Sequence, residues 1–162
     1  MEALRDLIQT LLVIELLEPS QPLWLFFAWV TDVDILDNSA RQFSTICPDW
    51  PEAPIKLSAV LEALLSRGGR INVILRNAPH NQFFEARLLQ LQQDYPGQLR
   101  WCKRSTFHEK GMLGNGYVLD GSMNLTLRGL TTSDERVILR TSSALIAQRR
   151  IELQTKWDSL LQ

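Results

Sequence analysis

One stretch of the chain gathers the residue types that handle a phosphodiester: Phe107-His-Glu-Lys-Gly-Met-Leu-Gly-Asn-Gly-Tyr-Val-Leu-Asp-Gly-Ser-Met-Asn-Leu-Thr126. His108 and Lys110 stand two apart, so on a strand they point to one face. Asn115-Gly116 is a strong two-residue turn signal and predicts a hairpin over residues 109–120. The hairpin returns Gly121-Ser122-Met123-Asn124 to the side of His108 and Lys110. One patch then holds an imidazole, an ammonium, a hydroxyl, a carboxamide and a glycine-opened backbone. The imidazole of His108 can attack phosphorus or protonate a leaving oxygen. Lys110 and Asn124 can hydrogen-bond the non-bridging oxygens as negative charge builds on them. Gly121 lets backbone approach the phosphate, and Ser122 can add a hydroxyl donor or orient Lys110.

The elements that must position this patch follow from periodicity. Residues 3–17 read as a helix with Leu4, Leu7, Ile8, Leu11 and Leu12 on one stripe, stopped by Glu18-Pro-Ser-Gln-Pro22. Leu23 to Val30 is an apolar run suited to a buried strand. Residues 31–55, with three prolines and several acids, read as a long loop. Leu57, Val60, Leu61 and Leu64 mark a helix that Gly68-Gly69 ends. Ile71 to Leu75 is a strand, 82–94 a helix, and Leu99 to Cys102 another strand, an order that predicts right-handed crossovers and a parallel core. Arg136 to Leu139 is a further strand, and the terminal helix presents Ile146, Leu153, Trp157 and Leu160 inward. The fold class is α/β, a single domain with helices on a mixed sheet.

Bulk properties narrow the function. The chain has 162 residues, 45% of them hydrophobic, and a formal net charge of −1, which disfavours binding to polyanions through overall charge. A local basic lip remains compatible with nucleic acid, and Lys103, Arg104 and Arg128, with Arg100, are its candidates. Each reads equally well as a solvated surface charge. Trp24 and Trp29 sit in the apolar run and read as core residues rather than stacking platforms. His80 reads as a helix-start residue. Asp32, Asp34 and Asp37 lack calcium-loop spacing, and no metal or other cofactor is expected. The N-terminus lacks the features of a secretory signal, no segment is long enough to span a bilayer, and Cys47 and Cys102 read as reduced thiols. A cytoplasmic location is expected.

His108-Glu-Lys110 followed by Gly121-Ser122-Met123-Asn124 resembles the HxK…GSxN signature of the phospholipase D superfamily. The likeness runs over roughly residues 22–160 and is similar to the small single-motif nucleases of that family, some of which sit in bacterial DNA-modification and defence systems. Residues 1–20 are then an N-terminal helix and 21–162 the phospholipase D-like domain. Glu135, in Ser133-Asp-Glu-Arg-Val-Ile138, falls where many members place an acid that bonds the catalytic histidine. One position departs: the aspartate that the family places five residues after the lysine is Asn115 here.

The resemblance implies two such motifs facing across a twofold axis. This chain carries one, so a homodimer is implied, with His108 of one chain as nucleophile and His108 of the other as acid and base. Lys110, Asn124, Ser122 and Glu135 complete the catalytic set, and DNA is the expected substrate. Two alternatives stand beside it: a nucleic-acid-binding subunit that has lost turnover, and a phospholipid hydrolase.

Overall fold

The computed structural model describes residues 3–131 and 135–162. In chain order the elements are α1 (Ala3–Leu17), β1 (Leu23–Phe27), β2 (Asp34–Asp37), β3 (Pro54–Lys56), α2 (Leu57–Ser66) and β4 (Ile71–Arg76). They continue with α3 (Gln82–Asp94), β5 (Leu99–Arg104), β6 (Gly111–Leu113), β7 (Val118–Gly121), α4 (Leu127–Thr131), β8 (Val137–Arg140) and α5 (Ser143–Trp157). Six strands form one sheet in the order β5-β4-β1-β6-β7-β8. β1, β4 and β5 run parallel, and β6, β7 and β8 continue the sheet antiparallel. The mixed α/β architecture expected from the sequence is the one observed.

β1 is buried at every residue because both faces of the sheet are covered. Leu23, Leu25 and Phe27 join Ile71, Val73 and Leu75 in a cluster with Ile8, Leu12, Leu61 and Leu88 of α1, α2 and α3. Trp24, Phe26 and Ile74 point to the other face, against Ile146, Leu153 and Trp157 of α5. The two-residue period of a strand thus feeds two separate cores.

Several expectations need correction. The strand predicted over 23–30 leaves the ladder after Phe27, because the backbone N–H groups beyond it turn to side chains. Trp29 N–H donates to Asn124 Oδ1 at 3.2 Å and Val30 N–H to Asn81 Oδ1 at 2.9 Å. Residues 31–55 are not a plain loop: β2 and β3 pair antiparallel there, with β3 running on to Lys56. Its acids serve the fold. Asp32 accepts from the N–H and Oγ of Ser58 at 2.8 and 2.7 Å, holding the start of α2. Asp34 pairs with Lys56 at 3.1 Å. Asp37 accepts from Ser39 N–H at 2.9 Å, and its hydrogen bonds to Ser39 hold its carboxyl below the ordinary value. No group of three or more metal-binding side chains occurs among the described residues. In the terminal helix region Leu161 is buried, whereas Leu160 is 36% exposed.

The hairpin forms, but not as a primed turn. Neither Asn115 nor Gly116 has a positive φ. Gly114 N–H donates to Tyr117 O at 3.1 Å, and the corner is held from outside: Asn115 N–H donates to Ser20 Oγ at 2.7 Å, and Gln21 N–H donates to Asn115 Oδ1 at 3.4 Å. Met1, Glu2 and residues 132–134 lie outside the described residues, and with them the Ser133-Asp134 lead into Glu135.

Candidate active site

The strand register sets where the candidate residues meet. Phe26 pairs with Gly111, Gly111 with Asp120, and Gly121 with Val137. The carboxyl ends of β1, β4 and β5, the start of β6, the end of β7 and the start of β8 therefore share one edge of the sheet. This is the edge at which open α/β sheets hold ligands. His108 and Lys110 lie just before β6, Ser122 and Asn124 just after β7, and Glu135 just before β8.

His108 and Lys110 lie just ahead of the strand, not on it as predicted. They are brought to the second half of the motif all the same, because Gly121 N–H donates to Lys110 O at 3.0 Å. Lys110 Nζ donates to the carbonyl of His108 at 2.9 Å, which folds the ammonium back over the residue it flanks. The His108 ring is exposed. Its neighbours in sequence are anchored by α5. Phe107 is buried edge-to-face on Trp157, with ring centroids 5.4 Å apart and planes at 81°. Glu109 takes Lys156 at 2.9 Å and Arg149 at 3.7 Å. An exposed imidazole thus stands on a clamped backbone.

Asn124 accepts the N–H of Trp29 through Oδ1, which leaves its NH₂ group as the donor. The segment is fixed further by Leu125 N–H to Trp29 O at 3.1 Å and by the Val30–Leu125 bridge. Behind it, Thr126 Oγ1 accepts Gly129 N–H at 3.0 Å and caps α4. A Cβ on Gly129 would lie 2.1 Å from Asn124 O, so α4 can pack here only with glycine.

Glu135 accepts from Ser122 Oγ at 2.5 Å, and Ser122 Oγ accepts from Arg136 N–H at 3.0 Å. The described hydrogen bonds join Glu135 to Ser122, and none joins it to His108. The room at Gly121 is filled by β8: a Cβ there would meet Arg136 O at 2.5 Å. The glycine thus serves strand pairing first. Lys103 pairs with Glu85 at 2.9 Å and Arg100 with Asp158 at 2.5 Å. Arg104 is exposed at the end of β5, in register with Arg76. It shares the site's edge but stands three strand spacings from β6, about 14 Å. Arg128 is exposed on α4, one turn after Asn124.

Two features at this edge were not legible as functional. Trp29, expected in the core, is 40% exposed, while Trp24 is fully buried. Asn81 is completely buried and makes three bonds: to Val30 N–H at 2.9 Å, Ala28 O at 2.9 Å and Arg76 O at 2.7 Å. It ties the ends of β1 and β4 together, and an isolated asparagine after His80 carries no sequence signal for that.

Comparison with known proteins agrees with this geometry. The family described as cardiolipin synthase, PLD-like domain, matches residues 33–157. No curated protein sequence matches the chain. Among solved structures the fold is similar to Nuc from Salmonella typhimurium, a phospholipase D family member. The TM-score is 0.61 and the identity 16%, over 93% of this chain and 86% of that one. NucT from Helicobacter pylori gives a TM-score of 0.59 at 14% identity, over 94% of this chain and 87% of that one. TrmBL2, an archaeal chromatin protein described with a novel mode of DNA binding, gives 0.55 at 13% identity over 93% of this chain; the chain spans only 48% of TrmBL2.

Proposed function

This chain belongs to the phospholipase D superfamily, through its cardiolipin synthase, PLD-like domain family, and from that membership we propose that it is a metal-independent nuclease acting as a C2 dimer. The observation that supports this reading is the Gly121 N–H bond to Lys110 O, which joins the two halves of the motif across one hairpin. In the proposed reaction a ring nitrogen of His108 attacks phosphorus. The P–O bond to the leaving group breaks, and His108 of the partner subunit gives that oxygen its proton. The same partner imidazole, now neutral, takes a proton from water. The water oxygen attacks phosphorus, and the P–N bond breaks to free the first His108. Lys110 and the Asn124 NH₂ group hold the non-bridging oxygens throughout.

The Ser122–Glu135 hydrogen bond holds an acid beside the second half of the motif. A dimer is supported by apolar surface beside the site. Leu127 is 63% exposed and Ile138 is 47% exposed, and they flank the Ser122 and Glu135 segments on α4 and β8. A nuclease reading, over a lipid enzyme, draws its support from the likeness to Nuc and NucT, most of whose length this chain covers. No helix among the described residues is long and apolar enough to cross a membrane.

The test is cleavage of single- and double-stranded DNA in excess EDTA. Activity is expected in the wild type and lost in His108→Ala. Undiminished cleavage by that variant would remove His108 from the mechanism. Salt-sensitive binding without any cleavage would favour a DNA-binding subunit, and choline release from phosphatidylcholine vesicles would favour a lipid hydrolase.

A further inference from the structure

We infer that Trp29 is a stacking platform for an unpaired nucleobase beside the scissile phosphate, so that the substrate is a single-stranded nucleic acid; this rests on the nuclease reading above. Trp29 is an exposed indole whose backbone is bonded directly to the catalytic segment. Its N–H donates to Asn124 Oδ1 at 3.2 Å and its carbonyl accepts Leu125 N–H at 3.1 Å. The backbone of Trp29 therefore keeps a fixed place relative to the Asn124 amide.

The loop carrying it is built to be rigid. Burying a carboxamide is costly unless its hydrogen bonds are satisfied. Asn81 is wholly buried, and its bonds go to the residues flanking Trp29 and to the end of β4. Trp29 is thus held before any ligand arrives, which lowers the ordering cost of binding.

The charges around the ring select the ligand. The Arg76 guanidinium lies over the indole, 5.9 Å from its centroid, and the His80 ring meets it at 6.5 Å and 61°. Arg104 is Arg76's neighbour on β5. An exposed tryptophan could in principle hold a quaternary ammonium group. Here the Arg76 guanidinium already stands over the ring, so a choline headgroup would meet like charge. A polyanionic strand with an aromatic base meets the complementary arrangement: base on the indole, phosphates on Arg76 and Arg104. Bases inside a duplex present no free face, so the platform favours single strands.

The experiment compares cleavage of a labelled oligothymidylate with that of the same strand carrying abasic residues on both sides of the cleavage position. Trp29→Ala is expected to reduce the ratio of kcat/KM on the two strands roughly tenfold or more, and Trp29→Phe to restore most of it. A ratio unchanged in Trp29→Ala overturns the inference, as does wild-type cleavage of duplex DNA as fast as of single strands. Circular dichroism confirms that the variants fold. If the wild type cleaves neither strand, the nuclease reading fails separately. Fluorescence anisotropy in the His108→Ala background then decides the platform. Tighter binding of the based strand that Trp29→Ala abolishes supports it, and equal binding of both strands overturns it.

Discussion

At the scale of single residues, the site depends on which atom of each polar group is already engaged. Trp29 N–H occupies the Asn124 carbonyl oxygen, so only the donor end of that amide is free to meet a phosphate. Asn124→Asp keeps the acceptor and replaces the donor with a negative charge. A loss of roughly 100-fold or more in kcat is expected from removing one such donor, measured by steady-state cleavage with thermal melting as the control for folding. A different residue governs the pH response of stability. Glu15 is buried under the hairpin turn, where Ser20 N–H, Ser20 Oγ and Tyr117 OH donate to it at 2.8, 2.8 and 3.0 Å. Burial outweighs these bonds and raises its carboxyl above the ordinary value of 4.5, and burial also pushes the Tyr117 phenol well above its own. A raised acid binds its proton more tightly folded than unfolded. The stability Glu15 contributes is therefore complete below pH 4.5 and is lost as pH rises through the raised folded value. Glu15→Gln cannot ionise, so its urea midpoint should gain on the wild type as pH rises above 4.5. A gap between the two midpoints that stays constant with pH would contradict the assignment.

At the scale of elements, α5 is what holds the segment carrying His108. Trp157 and Lys156 grip the residues on either side of His108. Trp157→Ala leaves Phe107 without its partner and opens a void in the smaller core. A cost of about 3–5 kcal/mol is expected, read as a lower denaturant midpoint, with activity falling further than the unfolded fraction explains. Trp157→Phe should recover most of both. Such dependence explains what was legible in the sequence. α1, α2, α3 and the strands of the parallel core announce themselves by period, since each buries one regular face. The motif halves were legible because order and spacing alone identify them. The rest depends on tertiary contacts that leave no periodic trace. β2 and β3 are short, and Pro54 opens β3, so the ribbon hides within an irregular stretch. Trp29 looks like its buried neighbours until Asn124 and Asn81 draw the chain out of the sheet. Glu135 was expected to meet His108 and meets Ser122 instead, because Arg136 N–H and O pin Ser122 to the start of β8. Asn115 stands where the resemblance expects an aspartate. It sits at the far end of the hairpin from Lys110, tied to Ser20 and Gln21.

At the scale of the whole molecule, the two edges of the sheet are treated differently. β5 is covered, because Trp101 and Gln162 exchange backbone hydrogen bonds at 3.1 and 3.2 Å. β8 is the other edge, and Ile138 and Leu139 lie 47% and 41% exposed on its two faces. Unprotected apolar edges invite pairing with another chain, and this one starts beside Glu135. For the proposed dimer, the partner's His108 must reach the same phosphate as the first, which is what a chain with one motif requires. The proposal has a quantitative consequence in mixed dimers. With wild type and His108→Ala co-expressed in equal amounts and pairing at random, about a quarter of dimers carry two histidines. If both imidazoles serve one phosphate, activity per chain pair should fall to about a quarter of wild type. If each chain works alone, it should fall only to about a half, because every intact His108 would still turn over. The same division of labour, one imidazole free and the other protonated, predicts a bell-shaped dependence of kcat/KM on pH. A half-activity mixture with a single-limbed pH profile would mean that one chain holds a complete site, and β8 would then be an edge awaiting some other partner.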